Sequence, residues 1–166
     1  VGDGVSDDHA ALQSVLDTGQ TVVLGAGKTY RITKQLVIRS NNTGIRGDGT
    51  ATILMGSGPG EFDQSFNSQL FPQYRYAPNS VGIAATGLTG PFVDNVIIRY
   101  EGGSDDRYVR AIAFRRCYDI RITNNDISNF SKSLGIVYLG AITGGIVSGN
   151  EIHSSHTNSS TIGQIT

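Results

Sequence analysis

The residues that can do chemistry in this chain are carboxylates first. Asp126 and Glu151 recur in matched surroundings, Asn125-Asp-Ile127 and Asn150-Glu-Ile152, while Glu101, Asp105 and Asp106 crowd into the run Glu101-Gly-Gly-Ser-Asp-Asp106. Two carboxyl groups about 5–9.5 Å apart cleave glycosidic bonds, one donating a proton and the other acting as nucleophile or base. Arg99 and Arg121, with Arg115 and Arg116 beside them in the chain's basic set, offer bidentate donors to acidic groups. Tyr74, Tyr76, Tyr100 and Tyr108 offer flat faces for stacking. We therefore take Glu101, Asp105 and Asp106 as candidate catalytic residues, and Arg99, Arg121, Tyr74, Tyr76, Tyr100 and Tyr108 as candidate substrate-binding residues. Asp126 and Glu151 directly follow turn asparagines, the ordinary place for a solvated acid, and are read as surface positions.

Other chemistries lack their residues. The one cysteine, Cys117, allows neither an internal disulfide nor a thiolate zinc site, and reads as a small, partly buried hydrophobe. His9, His153 and His156 show no metal-ligand spacing, so no cofactor is expected. A net charge of −1 provides no basic footprint for nucleic acid or an anionic membrane. The apolar runs are far too short to span a bilayer, and the first residues lack a signal-peptide pattern.

The composition says what must position the candidate residues. Charged residues are 16% of the chain and glycine alone numbers 22 of 166, a mix that suits short strands and tight turns rather than helices. One helix is expected, over Ser6–Thr18, with Ser6 or Asp7 capping it and Ala11, Leu12, Val15 and Leu16 forming its apolar stripe. Short strands follow at Thr21–Leu24, Thr29–Ile32, Leu36–Ile38, Thr43–Arg46 and Thr52–Leu54. Residues 56–90 read as a long loop containing one strand at Val81–Ala85.

Beyond that loop the chain resembles itself. Asn95–Tyr100 aligns with Asp119–Asn124 and then with Gly144–Gly149, at offsets of 24 and 25 residues. Repeats of this length, each with three short strands and three turns, imply a solenoid of stacked coils. In it Val96, Ile98, Ile120, Ile122, Gly145 and Val147 point inward, Ile97, Arg99, Arg121, Thr123, Ile146 and Ser148 point outward, and Asn125 and Asn150 stack at one turn. The expected fold is all-β, a right-handed parallel β-helix with a short capping helix. It forms one domain over 1–166, cut from a longer solenoid: cap and first coils over 1–54, the long loop, and repeated coils over 91–166.

Gly2-Asp-Gly-Val-Ser-Asp-Asp8, His9-Ala-Ala-Leu-Gln13, Thr21–Gly27, Thr29–Ile32 and Gly44-Ile-Arg-Gly-Asp-Gly49 resemble the opening of pectate-lyase-like right-handed β-helices. That superfamily includes phage tailspike depolymerases, polysaccharide lyases, glycoside hydrolases and sugar epimerases. The resemblance implies that the helix caps the solenoid and that the opening aspartates serve turns and capping rather than calcium or catalysis. It implies a polysaccharide partner, degraded by hydrolysis or elimination, an extracellular or virion-associated location and, from tailspikes, a homotrimer. The other reading is a non-catalytic glycan-binding or structural stem of a fibre. Arg110-Ala-Ile-Ala-Phe114 stands where pectate lyases carry an acidic calcium ligand, and no Tyr-Gly-Phe-Asp-Pro-His-type epimerase string is present. Calcium and epimerisation are therefore disfavoured.

Overall fold

The computed structural model describes residues 1–56, 80–101, 109–130, 136–153 and 162–163. After β1 (Asp3–Asp7) and α1 (His9–Asp17) the chain repeats one three-strand unit. Sheet 1 collects β2 (Val22–Val23), β5 (Gly44–Arg46), β8 (Phe92–Asp94), β11 (Tyr118–Thr123) and β14 (Thr143–Ser148). Sheet 2 collects β1, β3 (Thr29–Ile32), β6 (Thr52–Met55), β9 (Ile97–Tyr100), β12 (Asp126–Ser128) and β15 (Glu151–His153). Sheet 3 collects β4 (Leu36–Ile38), β7 (Ser80–Thr86), β10 (Val109–Arg115), β13 (Val137–Gly140) and β16 (Ile162–Gly163). Every strand pair is parallel, and the chain visits sheets 1, 2 and 3 in turn. This is a parallel β-helix.

Its interior is built of stacked apolar rows. Ile53, Ile98 and Ile127 stand in register in sheet 2, Ile45, Val93 and Ile122 in sheet 1, and Ile83 and Ile112 in sheet 3, all of them fully buried. Each contributes about 1.5–3 kcal/mol through the apolar area removed from water. Val147 takes the same inward register beside Ile122 yet is 47% exposed, because β14 is the edge strand of its sheet.

The repeat itself needs one correction. The offset of 25 is right, since Ile120 pairs with Gly145 and Ile127 with Ile152. The offset of 24 is not: β9 lies in sheet 2 beside β12, with Ile98 against Ile127, whereas β11 lies in sheet 1 beside β8, with Arg121 against Phe92. The step between those coils is 29 residues, and its markers are turn residues with positive φ, Asn95 (59°), Asn124 (55°) and Gly149 (65°), one per coil. Glycine enters that left-handed region at no steric cost, and asparagine at less cost than most residues.

The cap is built as the sequence implies, with different boundaries. Leu12 and Leu16 of α1 bury themselves in the first coil. The Gln13 side chain acts as a missing strand for the edge of β4, accepting from the Val37 N–H (2.8 Å) and donating to the Val37 carbonyl (3.0 Å). Asp8 holds the N-cap position, without a side-chain capping bond, and instead accepts from the Gly2 N–H at 2.9 Å. Asp7 accepts from the His9 N–H and from Thr33. β1 has no apolar alternation to announce it and was not expected; it pairs irregularly with β3.

These aspartates make the cap sensitive to acid. Hydrogen bonds from the Val5 and Ser6 N–H groups and the Ser6 hydroxyl hold Asp3 down to about 2. Burial alone would raise Asp7, but bonds from the Thr33 hydroxyl and the His9 and Thr33 N–H groups outweigh it, and its carboxyl lies below the ordinary range. A folded-state pKa below the unfolded one stabilises at pH values above the unfolded pKa, and that stability is lost as pH falls through the folded pKa. The cap is therefore expected to loosen between about pH 4 and pH 2. Carboxyl chemical shifts that place Asp3 and Asp7 at ordinary aspartate values would contradict this.

Candidate functional site

The three kinds of connection differ in length. Those from sheet 1 to sheet 2 and from sheet 3 to sheet 1 are short, as is the first from sheet 2 to sheet 3 (residues 33–35), whereas the later ones from sheet 2 to sheet 3 are the longer segments 56–79, 101–108, 129–136 and 154–161. Parallel stacking makes these connections start side by side and end side by side. The edge between sheets 2 and 3 is thus where the four longest connections begin and end.

The outward face of sheet 2 leads to that edge in two rows set by register. One runs Thr29, Thr52, Ile97, Asp126, Glu151; the other runs Arg31, Leu54, Arg99, Ser128, His153. Glu101 lies just beyond Arg99, where its N–H donates to the Met55 carbonyl at 2.9 Å. From two coils away Arg31 reaches it, with Nε and Nη2 each 3.1 Å from Glu101 Oε2. Gly56 lies under this reach: a Cβ there would stand 2.9 Å from Arg31 Nη2. The pair is partly exposed, so its net stabilisation is at most about 1 kcal/mol, and its value is geometric. It fixes Glu101 at the root of two adjacent connections and leaves Oε1 without a partner among the described residues. Arg99 is exposed and has no acidic partner among the described residues.

Farther along the face, Asp126 and Glu151 are in register on neighbouring strands, and His153 Nε2 lies 3.9 Å from Asp126 Oδ1 and 3.5 Å from Glu151 Oε2. The two oxygens are thus closer than the roughly 9.5 Å of the widest glycoside-cleaving acid pairs. Glu151 and His153, both in β15, are open to water, as a surface reading of Glu151 expects, whereas Asp126 is half-buried with its Oδ1 shielded from water.

The remaining candidates separate. Tyr100 is not a stacking face: its side chain points into the coil, 9% exposed, with its ring 5.9 Å from that of Phe130. Arg121 is exposed but belongs to the outward face of sheet 1, so it does not act beside Arg99. Asp105, Asp106, Tyr74, Tyr76 and Tyr108 lie outside the described residues. Arg31 was missed, since only the true register shows that it shares a row with Arg99.

The outward side of sheet 3 carries Val81, Ala84 and Ala113, all buried, and Arg110, 3% exposed, with its guanidinium 5.7 Å from the centre of the Tyr138 ring. Among the described residues no group of three His, Cys, Asp or Glu side chains is placed to hold a metal ion. No helix among them is long and apolar enough to cross a membrane.

Residues 1–164 match the family described as rhamnogalacturonase A/epimerase, pectate lyase-like. The chain belongs to that family. No curated protein matches the sequence. Among solved structures, one described as a putative glycosyl hydrolase from Parabacteroides merdae aligns with 87% of this chain and 89% of its own at 12% identity, with a TM-score of 0.34. At that score the likeness carries no argument. Membership of the rhamnogalacturonase A/epimerase family gives the pectate-lyase-like β-helix and polysaccharide processing as its setting; the particular reaction has to come from the site.

Proposed function

We propose that this protein degrades a bacterial surface or extracellular polysaccharide in the manner of a tailspike depolymerase, at the edge between sheets 2 and 3. The observation that carries the reading is the Arg31–Glu101 pair at the start of two connections that leave neighbouring strands. One of these connections contains Asp105, Asp106 and Tyr108, and the other Tyr74 and Tyr76. Glu101, Asp105 and Asp106 supply the acids; Arg99 and the three loop tyrosines hold the polymer. In hydrolysis one carboxyl protonates the glycosidic oxygen while another takes a proton from the attacking water. In elimination a base removes the proton beside a uronate carboxylate, and the leaving oxygen is protonated. Such polymers are met outside the cell, so the protein works extracellularly or on a virion.

The stem reading has one observation in its favour, namely that Glu101 is already engaged by Arg31. Incubation with a panel of capsular, exopolysaccharide and pectic polymers, rhamnogalacturonan included, separates the two. New reducing ends without unsaturated sugars indicate hydrolysis, and both together indicate elimination. Binding without either product supports the stem, and neither binding nor products would overturn both readings.

A further inference from the structure

The outward face of sheet 1, away from the edge just described, gathers two arginines around one aromatic ring. Phe92 points outward from β8, yet it is only 4% exposed. Two guanidiniums cover it, with Arg46 Cζ at 5.4 Å and Arg121 Cζ at 5.0 Å from its ring centre. The arginines come from β5 and β11, the strands on either side of β8. They are therefore two strand spacings apart, about 9.6 Å along the solenoid axis.

Among the described residues only one of the two has a counter-charge. Arg46 Nε lies 3.4 Å from Asp94 Oδ2, and Thr123 donates its hydroxyl to the other oxygen of Asp94 at 2.6 Å. Arg121 has no acidic partner among the described residues. Stacking on a ring occupies the flat face of a guanidinium and leaves its N–H edge free to bind an anion, while cutting the rotamer freedom that an isolated surface arginine loses on binding.

We infer that Arg121 and Arg46, braced on Phe92, form an anion-binding subsite for the carboxylate or sulfate groups of a glycan lying along sheet 1. The inference rests on the polysaccharide reading for what carries the anion.

The test is a titration of the intact protein with four probes: oligogalacturonate, the same oligomer reduced to its neutral form, a sulfated glycosaminoglycan oligomer and sodium sulfate. Binding of one or both charged oligomers is expected, the difference between them telling carboxylate from sulfate, with affinity falling as salt is raised. Arg121→Gln and Arg46→Gln are each expected to weaken it about tenfold while melting within a few degrees of the parent. The inference is overturned if the reduced oligomer binds equally well, if neither substitution changes the affinity, or if sodium sulfate alone binds as tightly as any oligomer. Turnover is not read in this experiment. Arginine-dependent binding without degradation counts against the proposed function alone, and degradation without arginine-dependent binding counts against this inference alone.

Discussion

Replacing Asn125 by alanine is expected to lower the melting temperature by about 10 °C. The side chain is 1% exposed, and its Oδ1 accepts from the Val96 N–H (3.1 Å) while its Nδ2 donates to the Val93 carbonyl (3.0 Å) and to Asn150 Oδ1 (2.9 Å). Alanine strands a buried donor and a buried acceptor of the neighbouring coil, at about 1–3 kcal/mol each. For a chain of this size each kcal/mol shifts the midpoint by roughly 2–4 °C. Asn150 is the outer rung of the same ladder, donating to the Ile122 carbonyl at 2.8 Å, and it is half-buried. Asn150→Ala should cost about a third as much, since water replaces what is lost. Thermal melts of the two variants check the account; equal losses, or a loss under about 2 °C for Asn125→Ala, would contradict it.

The other large effect belongs to Gly44. A Cβ on it would lie 2.0 Å from the Phe92 carbonyl oxygen and 2.8 Å from the carbonyl carbon, both main-chain atoms of the next coil. A flexible side chain would yield to such an approach. Here β5 and β8 would have to part instead, and their pairing at Gly44–Phe92 would break. Gly44→Ala should destabilise by about 3 kcal/mol or more and leave most of the expressed protein insoluble. A soluble variant melting within about 3 °C of the parent would show that the coils slide past the clash.

Most of the architecture was legible because each coil repeats the same local instructions. Alternation in Thr29–Ile32 and Thr52–Met55, punctuated by Gly25, Gly27, Gly47 and Gly49, marks the early strands almost to the residue. The Asn-x-Ile turn at Asn125 and Asn150 gives the later step, and its amides stack as expected. What misled was the same regularity. Val96-Ile-Ile98 and Ile120-Arg-Ile122 carry the same alternation but belong to different sheets, so apolar pattern alone slid one onto the other. The backbone signal, an asparagine or glycine at the left-handed turn position, separates them, because conformation there is dictated by sterics rather than by hydrophobicity.

The site was less legible for a related reason. Outward residues answer to no packing rule, so the sequence shows their types and not their neighbours. Arg99 was placed on the correct outward face, but Tyr100, one residue on, alternates into the core. Neither the link from Arg31 to Glu101 across two coils nor the meeting of Arg46 and Arg121 on Phe92 leaves a mark in local spacing.

The central claim is that acids at the edge between sheets 2 and 3 process a polysaccharide. Its most direct test is the rate of product release from whichever polymer of the panel the protein cleaves, compared between the parent and a variant carrying Glu101→Gln, Asp105→Asn and Asp106→Asn, after their melting curves have been shown to agree. The account predicts a fall of at least about a hundredfold, the scale of lost acid–base catalysis. A folded variant that releases products at the parent's rate would contradict it.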